Sequence, residues 1–202
     1  KGTISKRLAK HFALPFLDTG LLYRAVGWTL RDQGGDPSSI ADALRACDFN
    51  SAVLDNPALR SETIGGLASQ ISAFPEVRAA LDKHQKDFAY QPDGAVLDGR
   101  DIGTVIAPDA TVKLFVTATS EARAVRRFEE MVKRGEMVNF DDILADILKR
   151  DDRDQNRATA PLKPAADADL LDTTELTIDA AIQQAIALVD AKISRRVDID
   201  PT

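Results

Sequence analysis

An arginine and an aspartate stand between two glycines in the segment 96–104, which reads Val-Leu-Asp-Gly-Arg-Asp-Ile-Gly-Thr. The apolar start of the segment is typical of a buried parallel strand, and open α/β sheets bind ligands beyond the carboxyl ends of their strands. A guanidinium beside a carboxylate, here Arg100 and Asp101, can bind a phosphate and read the edge of a base from one loop. The alternative is a surface turn in which the two side chains pair with each other.

Arginines recur along the chain, singly at Arg24 and Arg78 and in clusters at 123–127 and 150–157. Charge-dense runs usually form solvated helix faces. The second cluster has a spacing that also allows binding, because Arg150, Asp154 and Arg157 fall on one stripe of a helix if the helix extends that far. Such a stripe could hold an anion between the guanidiniums while the carboxylate orients them or binds a sugar hydroxyl.

The chain opens on Lys1-Gly2-Thr3 and continues directly into an amphipathic helix. This order is typical of the end of a phosphate-binding glycine loop, in which amides and a lysine contact phosphates at a helix N-terminus. The alternative is a frayed terminus with a threonine cap. We expect the native chain to carry a strand and a glycine-rich segment ahead of Lys1.

The net charge and the small number of cysteines and histidines exclude or disfavour several classes of function. The 202 residues carry a net charge of −6, with one cysteine and two histidines. A broad nucleic-acid surface is disfavoured by this charge, and a disulfide within the chain or a cysteine-based metal site is excluded. With no membrane-crossing apolar run and no signal peptide visible, we expect a cytoplasmic protein without a membrane or nucleic-acid partner.

Strands near 15–17, 95–98, 112–116 and 169–172 alternate with helical segments, which predicts an α/β fold with a parallel sheet between two helical layers. We predict one domain over 1–202 with two additions. A helical excursion over 36–88, irregular between Cys47 and Arg60, is a candidate substrate-binding part. The helices of 121–157, with Val125 on the core side of the first, form a candidate lid. The tail after Ser194 is expected to be loose.

Together these motifs resemble the P-loop nucleoside monophosphate kinases, and among them the bacterial cytidylate kinases. The matching segments follow the family's order: Lys1-Gly2-Thr3, Asp18-Thr19-Gly20 to Tyr23-Arg24, Ala68-Ser69-Gln70, Phe74 to Arg78, Asp98 to Thr104, Arg150 to Arg157, and Ala160 to Asp167. The resemblance implies a P-loop kinase fold with a helical lid. It also implies a reduced excursion for the nucleoside monophosphate, because 47–60 is short.

The resemblance implies phosphoryl transfer from ATP to CMP or dCMP with Mg²⁺, by a monomer. It places the CMP side at Thr19, Tyr23, Arg24, Ser69, Arg78, Arg100, Asp101, Arg150, Asp154 and Arg157. It places the ATP phosphates and adenine at Lys1, Gly2, Thr3, Arg126, Arg127, Pro161 and Asp167. The catalytic set is Lys1, Arg100, Arg153 and Arg157. Mg²⁺ would be bound through ATP, with Thr3 as its candidate protein neighbour.

Two other functions stay open from the residues alone. One is a kinase for another small acceptor, such as an adenylate or uridylate kinase; Asp101 with Arg78 favours cytosine. The other is a nucleotide-binding protein without turnover. A panel of acceptors, assayed for ATP consumption, separates these readings.

Overall fold

The protein is described here by a computed structural model, which covers residues 1–199. Helices and short strands alternate along that part of the chain. The helices are α1 (Gly2–His11), α2 (Thr19–Asp32), α3 (Ile40–Ala46), α4 (Glu62–Ile71), α5 (Pro75–Ala89), α6 (Ser120–Lys133), α7 (Phe140–Asn156) and α8 (Ile178–Ile199). The strands are β1 (Phe16–Asp18), β2 (Val96–Asp98), β3 (Leu114–Thr117) and β4 (Asp169–Asp172).

The four strands form two parallel pairs. β1 pairs with β2 in a register that ends at Asp18 opposite Asp98. β3 pairs with β4 from Leu114 opposite Asp169 to Thr117 opposite Asp172. Within the described residues the pairs are two separate sheets. The mixed α/β architecture with parallel strands is therefore present, and its continuation as one sheet between two helical layers stays a prediction.

Two apolar clusters hold the helices to these strands. One surrounds the buried residues Leu22, Val26 and Leu30 of α2, with Ile71 of α4 and Val77 of α5 packed against them. The other joins α1 and α8 to β4 through Ile4, Leu171 and Ile182, among others. These clusters bury the faces that the 3.6-residue periodicity predicts, and removal of this apolar surface from water stabilises the packing.

A third cluster holds α6 against α7, around Ala124, Met131 and Ile143. The prediction that Val125 faces the core is wrong, because its side chain is 46% exposed while Ala124 is fully buried. The alanine lets the two helices approach closely, so the contact stripe of α6 lies one residue earlier than the larger side chains indicate.

Two other expectations need correction. The segment 47–60 is not irregular throughout, since it contains 3₁₀ helices at Ser51–Asp55 and Pro57–Arg60, capped by Asn50 and Asn56. The chain beyond Ser194 is helical to Ile199, where α8 ends. None of the helices described over 1–199 has the length and apolar character needed to cross a membrane.

Candidate active site

The Arg-Asp loop leaves β2 at its carboxyl end and is held against the start of α2. Thr19 Oγ1 donates a hydrogen bond of 2.9 Å to the carbonyl of Asp98. A Cβ at Gly99 would lie 2.5 Å from the same Thr19 oxygen, so only glycine allows this close approach. A π-helical turn, Ile102–Ile106, follows immediately. The loop is therefore tightly constrained at both ends, and Arg100 and Asp101 occupy defined positions.

Arg78 and Asp101 form a buried ion pair between α5 and this loop. Only 8% of Arg78 and 6% of Asp101 are exposed. Arg78 also donates to the carbonyl of Ser72 at 3.4 Å, and its guanidinium lies 5.8 Å from the centre of the Tyr23 ring. A carboxylate with a buried cationic partner stays available as a hydrogen-bond acceptor, which suits recognition of an amino group.

Helix α7 continues through Asn156, so Arg150 and Asp154 lie on it as predicted, but Arg157 is its C-cap with extended backbone and lies just beyond the helix. Asp154 and Arg157 both reach the Arg-Asp loop. Asp154 is 2% exposed; it pairs with Arg100 and lies 3.9 Å from Arg150 Nε. Its other oxygen is 3.5 Å from Ser69 Oγ. Arg157 Nη2 lies 3.8 Å from Asp101. Residues far apart in sequence therefore meet in one cluster.

This cluster has more positive charge than its carboxylates neutralise. Arg150 Nε and Arg157 Nη2 are buried and have no hydrogen-bond partner among residues 1–199. Burial, and then the neighbouring charge of Arg100, lowers the pKa of Arg150 to about 10. Burial, and then Arg78, lowers the pKa of Arg157. Unpaired donors and crowded cations at a buried site are best satisfied by an anion.

Arg24 connects α2 to the segment that leads into α4. Its Nη1 donates to the carbonyls of Leu59 at 2.6 Å and Ser61 at 2.9 Å. A Cβ at Gly65 would lie 2.7 Å from Arg24 Nη2, so the glycine leaves room for this guanidinium. Burial lowers the pKa of Arg24. The structure thus places Arg24 against the backbone of residues 59–61, within the segment 36–88.

At the start of α1, Lys1 Nζ contacts the buried carboxylate of Asp98. Gly2 packs over that carboxylate, since a Cβ there would lie 3.5 Å from Asp98 Oδ2. Thr3 is exposed in the first helical turn. Sequence reasoning did not single out Asp98 as a site residue, although an acidic side chain at the end of a buried strand is a usable signal.

Arg126 and Arg127 make their contacts outside the arginine cluster. Arg126 donates to the carbonyls of Thr173, Thr174 and Leu176, just beyond the carboxyl end of β4. Arg127 pairs with Glu62, which lies in the first turn of α4, and with Glu130 at 3.0 Å. Arg153 is partly buried on α7. The expected contact of Arg126 and Arg127 with phosphates stays a prediction.

The two ends of the loop from Pro161 to Asp167 contact different parts of the protein. The amide of Leu162 donates to the carbonyl of Asp154 at 2.8 Å, so Pro161 lies beside the arginine cluster. Asp167 accepts hydrogen bonds of 2.7 and 2.9 Å from Lys113 Nζ. Lys113 and Asp167 precede β3 and β4 respectively, at the end of that strand pair opposite Thr173. This placement gives Asp167 a structural contact with Lys113. The expected contact of Asp167 on the ATP side stays a prediction.

Three further residues were not found from the sequence. Glu62, Gln85 and Lys113 occur in ordinary helical or strand contexts, and only the structure shows that Gln85 is 2% and Lys113 9% exposed. Polar side chains this deeply buried in a folded protein need partners.

Comparison with known proteins shows which family this chain is similar to. The family described as cytidylate kinase matches residues 1–191. A protein named cytidylate kinase from Mesorhizobium japonicum is 50% identical over 197 residues, 97% of this chain and 91% of that protein. A cytidylate kinase from Rhodopseudomonas palustris is 52% identical over 195 residues, 95% of this chain and 91% of its own length.

A third relative, the cytidylate kinase of Methylocella silvestris, is 53% identical over 197 residues, covering 95% of this chain and 89% of that protein. The matches span the strands, the Arg-Asp loop and both arginine-bearing helices, so they include every element that builds the site. The chain therefore belongs to the cytidylate kinase family, whose members are phosphotransferases acting on a nucleoside monophosphate.

Proposed function

We propose that the protein transfers the γ-phosphoryl group of ATP to CMP or dCMP through the arginine cluster described above. The observation that carries the proposal is the pair of buried, unpartnered donors on Arg150 and Arg157 beside the Arg78–Asp101 pair. Phosphoryl transfer depends on positioning and on neutralising the charge of the phosphoryl oxygens. A site that is rich in arginine meets that demand, because guanidiniums bind and neutralise phosphoryl oxygens without acting as nucleophiles or bases.

The acceptor is bound by three kinds of group. Asp101, oriented by Arg78, accepts from the exocyclic amine of cytosine, where uracil presents an oxygen instead. Ser69 and Asp154 bind the sugar together with Arg150. Arg24 and Arg100 bind the acceptor phosphate. Thr19, the first residue of α2, donates to the carbonyl of Asp98 at the end of β2, and the ring of Tyr23 lies under the Arg78 guanidinium. Both border the base.

The donor is bound at the start of α1. When ATP binds, Lys1 leaves its ion pair with Asp98 and contacts the ATP phosphates. The amides of the first helical turn favour an anion there. Mg²⁺ fits this place, because the Asp98 carboxylate and the Thr3 hydroxyl are hard oxygen donors. When bound, Mg²⁺ neutralises charge on the phosphates. In this proposal the metal is bound mainly through ATP. Among residues 1–199 no group of three acidic, histidine or cysteine side chains is placed to hold a metal ion.

Arg153 and Arg157, on the lid side, stabilise the charge that develops on the transferring phosphoryl group, with Arg126 and Arg127 as further candidates. In this proposal the segment 36–88 is the acceptor-binding part of a single domain, and 121–157 is the lid. The protein acts as a monomer, as the resemblance to the family implies, in the cytoplasm, a location that its single cysteine supports.

A coupled assay of ADP release tests the reaction on the full-length protein, with ATP and Mg²⁺ and with CMP, dCMP, UMP and AMP as acceptors. We expect turnover with CMP and dCMP only. Turnover with AMP or UMP instead would overturn the assignment of the acceptor site. No turnover with any acceptor would favour a nucleotide-binding protein without activity.

The substitution Asp101→Asn tests base recognition. The amide can donate where the carboxylate only accepts, so we expect kcat/KM for CMP to fall about 100-fold, in line with loss of a charge-assisted hydrogen bond of about 3 kcal/mol. The KM for ATP should change less than about twofold, since Asp101 pairs with Arg78 and Arg157 whereas Lys1 pairs with Asp98. Asp93→Asn, an exposed aspartate ahead of β2, is the matched control. Unchanged CMP turnover in Asp101→Asn would remove Asp101 from the role.

A further inference from the structure

Two adjacent glycines of α4 have different surroundings. A Cβ at Gly65 would lie 2.7 Å from Arg24 Nη2 and 3.2 Å from both Nη1 and Cζ of the same side chain. A Cβ at Gly66 would meet nothing within 4 Å. The three atoms nearest to the Gly65 position all belong to the guanidinium, so the charged end of Arg24, and not its aliphatic stem, packs against α4 at Gly65.

Two carbonyl groups set the position of this guanidinium. The two hydrogens of Nη1 are donated to the carbonyl of Leu59 at 2.6 Å and to that of Ser61 at 2.9 Å. Within the part of the chain that the structure describes, Arg24 makes its hydrogen bonds through Nη1 alone. Its Nε and Nη2 form an edge of the guanidinium that can bind a phosphate through two parallel N–H groups.

The face of α4 that contacts Arg24 also reaches the arginine cluster. Ser69 follows Gly65 by four residues, so the two positions are neighbours on one face of the helix, about 5–6 Å apart at Cβ. Ser69 Oγ lies 3.5 Å from Asp154, which in turn pairs with Arg100. The guanidinium of Arg24 therefore lies one helical turn from the contact that leads to Arg100, the other arginine assigned to the acceptor phosphate.

We propose that Gly65 is a positioning residue for the acceptor phosphate. Because it has no side chain, Arg24 can reach the carbonyls of Leu59 and Ser61 and present its Nε–Nη2 edge to that phosphate. Gly65 contacts no substrate and acts through the guanidinium. The inference rests on the proposed role of Arg24 in binding the phosphate of CMP.

The physical reason is the distance between non-bonded atoms. Such atoms prefer a separation of about 3.5–4.0 Å, so a methyl group at position 65 would require a shift of about 1 Å. The guanidinium stands at the end of a flexible side chain, and it can move more easily than the backbone of α4. Its hydrogen bonds to the two carbonyls would weaken as they stretch and bend. A misplacement of about 1 Å at a group that positions a substrate can cost about 100-fold in rate.

The first test is Gly65→Ala, with Gly66→Ala as the matched control. Both variants add one methyl group to α4 and gain the same helix propensity. For Gly65→Ala we expect kcat/KM to fall about tenfold or more, equally for CMP and dCMP, with the KM for ATP within about twofold of the parent. Gly66→Ala should keep all three quantities within about twofold of the parent.

Cytidine distinguishes lost phosphate binding from a general disturbance of the acceptor site, because it has the base and sugar of CMP without the phosphate. Its inhibition constant in competition with CMP should stay within about twofold of the parent in Gly65→Ala. An inhibition constant for cytidine that rises as much as kcat/KM for CMP falls would overturn the inference, since the methyl group would then disturb the whole site.

The second test combines Gly65→Ala with Arg24→Met, which removes the guanidinium. If Gly65 acts through Arg24, the added methyl group lowers neither kcat/KM for CMP nor the melting temperature any further in the Arg24→Met background. Additive losses, or a folded Gly65→Ala protein with unchanged kcat/KM for CMP, overturn the inference. If Gly65→Ala alone does not fold, the double variant decides: a folded protein as active as Arg24→Met supports the inference, and an unfolded one overturns it.

Arg24→Met also separates this inference from the proposed function. An unchanged kcat/KM for CMP in Arg24→Met would remove Arg24 from the phosphate site and Gly65 with it, while the reaction itself would stand. A loss in Arg24→Met beside full activity in Gly65→Ala would leave the phosphate site standing and remove only Gly65.

Discussion

Two aspartates organise the charges of the arginine cluster. Asp101 is contacted by Arg78 and Arg157, and Asp154 by Arg100 and Arg150. Each carboxylate therefore orients two guanidiniums and neutralises only one. A desolvated cation without full compensation is destabilising, and such strain is common where a ligand later supplies the missing charge.

Arg150 is the best residue for testing whether the site lowers the stability of the free protein in order to bind an anion. Replacing it by methionine removes a buried donor without a partner and a cation repelled by Arg100. We expect the melting temperature of the unliganded protein to rise by about 2–4 °C, as for a gain of about 1 kcal/mol in a chain of this size. The KM for CMP should rise about tenfold or more, the loss expected for a hydrogen bond to a charged group.

Differential scanning calorimetry and the coupled assay measure the two effects of Arg150→Met. Lys149→Met, an exposed neighbour on α7, is the control and should change neither. A lower melting temperature together with an unchanged KM would show that Arg150 is a structural residue.

At the level of secondary structure, the amino end of the β3–β4 pair is held by contacts of Lys113 and Lys192 with Asp167, called here the electrostatic clamp. Lys113 Nζ contacts the carbonyl of Pro108 and both oxygens of Asp167. Lys192 of α8 reaches the backbone carbonyl of Asp167 at 3.3 Å. The clamp therefore ties the entry to β3, the entry to β4 and the terminal helix together at the amino end of these strands.

The clamp predicts a pH dependence of stability. The hydrogen bonds from Lys113 lower the pKa of Asp167 below its usual value. Because the folded-state pKa is the lower one, the stabilisation is complete above the unfolded pKa of about 3.9 and is lost as the pH falls through the folded pKa. Asp167→Asn should thus lower the free energy of unfolding at pH 7, and its difference from the parent should shrink below about pH 4.

Urea unfolding at a series of pH values checks this prediction, with Asp93→Asn as the exposed control. The contrary result is a free energy of unfolding that differs between Asp167→Asn and the parent by the same amount at every pH down to about 3. That result would mean that the carboxylate charge is not the stabilising feature.

On the scale of the whole molecule, an ion pair joins the segment 36–88 to the segment 121–157. Glu62 lies in the first turn of α4, and Arg127 lies on α6; Arg127 also comes within 3.5 Å of the carbonyl of Arg60. Glu62 thus competes with any anion that Arg127 could bind. Both side chains are partly exposed, so the pair is of modest strength.

Glu62→Gln should release Arg127 for the phosphates. We expect the KM for ATP to fall about two- to fivefold, the equivalent of an exposed ion pair of up to about 1 kcal/mol. Glu76→Gln is the matched control, since Glu76 occupies the first turn of α5 as Glu62 does that of α4. Steady-state kinetics with varied ATP measures the effect. A KM for ATP that rises in Glu62→Gln would mean that Glu62 positions Arg127 instead of restraining it.

The sequence by itself determined the local elements and the candidate residues. Apolar periodicity predicted α2, α4, α7 and α8, because the side chains that repeat every 3.6 residues must leave water together. The glycines around Arg100 and Asp101 marked a constrained loop, and the spacing of Arg150, Asp154 and Arg157 indicated one helix face. The order of these motifs was enough to indicate the family that the comparisons then showed.

Only the tertiary structure decided which charges meet. Arg127 and Asp167 carry the same charges in the sequence as the residues of the cluster, yet they pair with Glu62 and Lys113 at other places. Burial of Gln85 and Lys113 was likewise invisible in the sequence, because desolvation depends on atoms brought from distant segments. Ionic contacts act through space and have no sequence period, so the partners of a charged side chain are known only once the chain is folded.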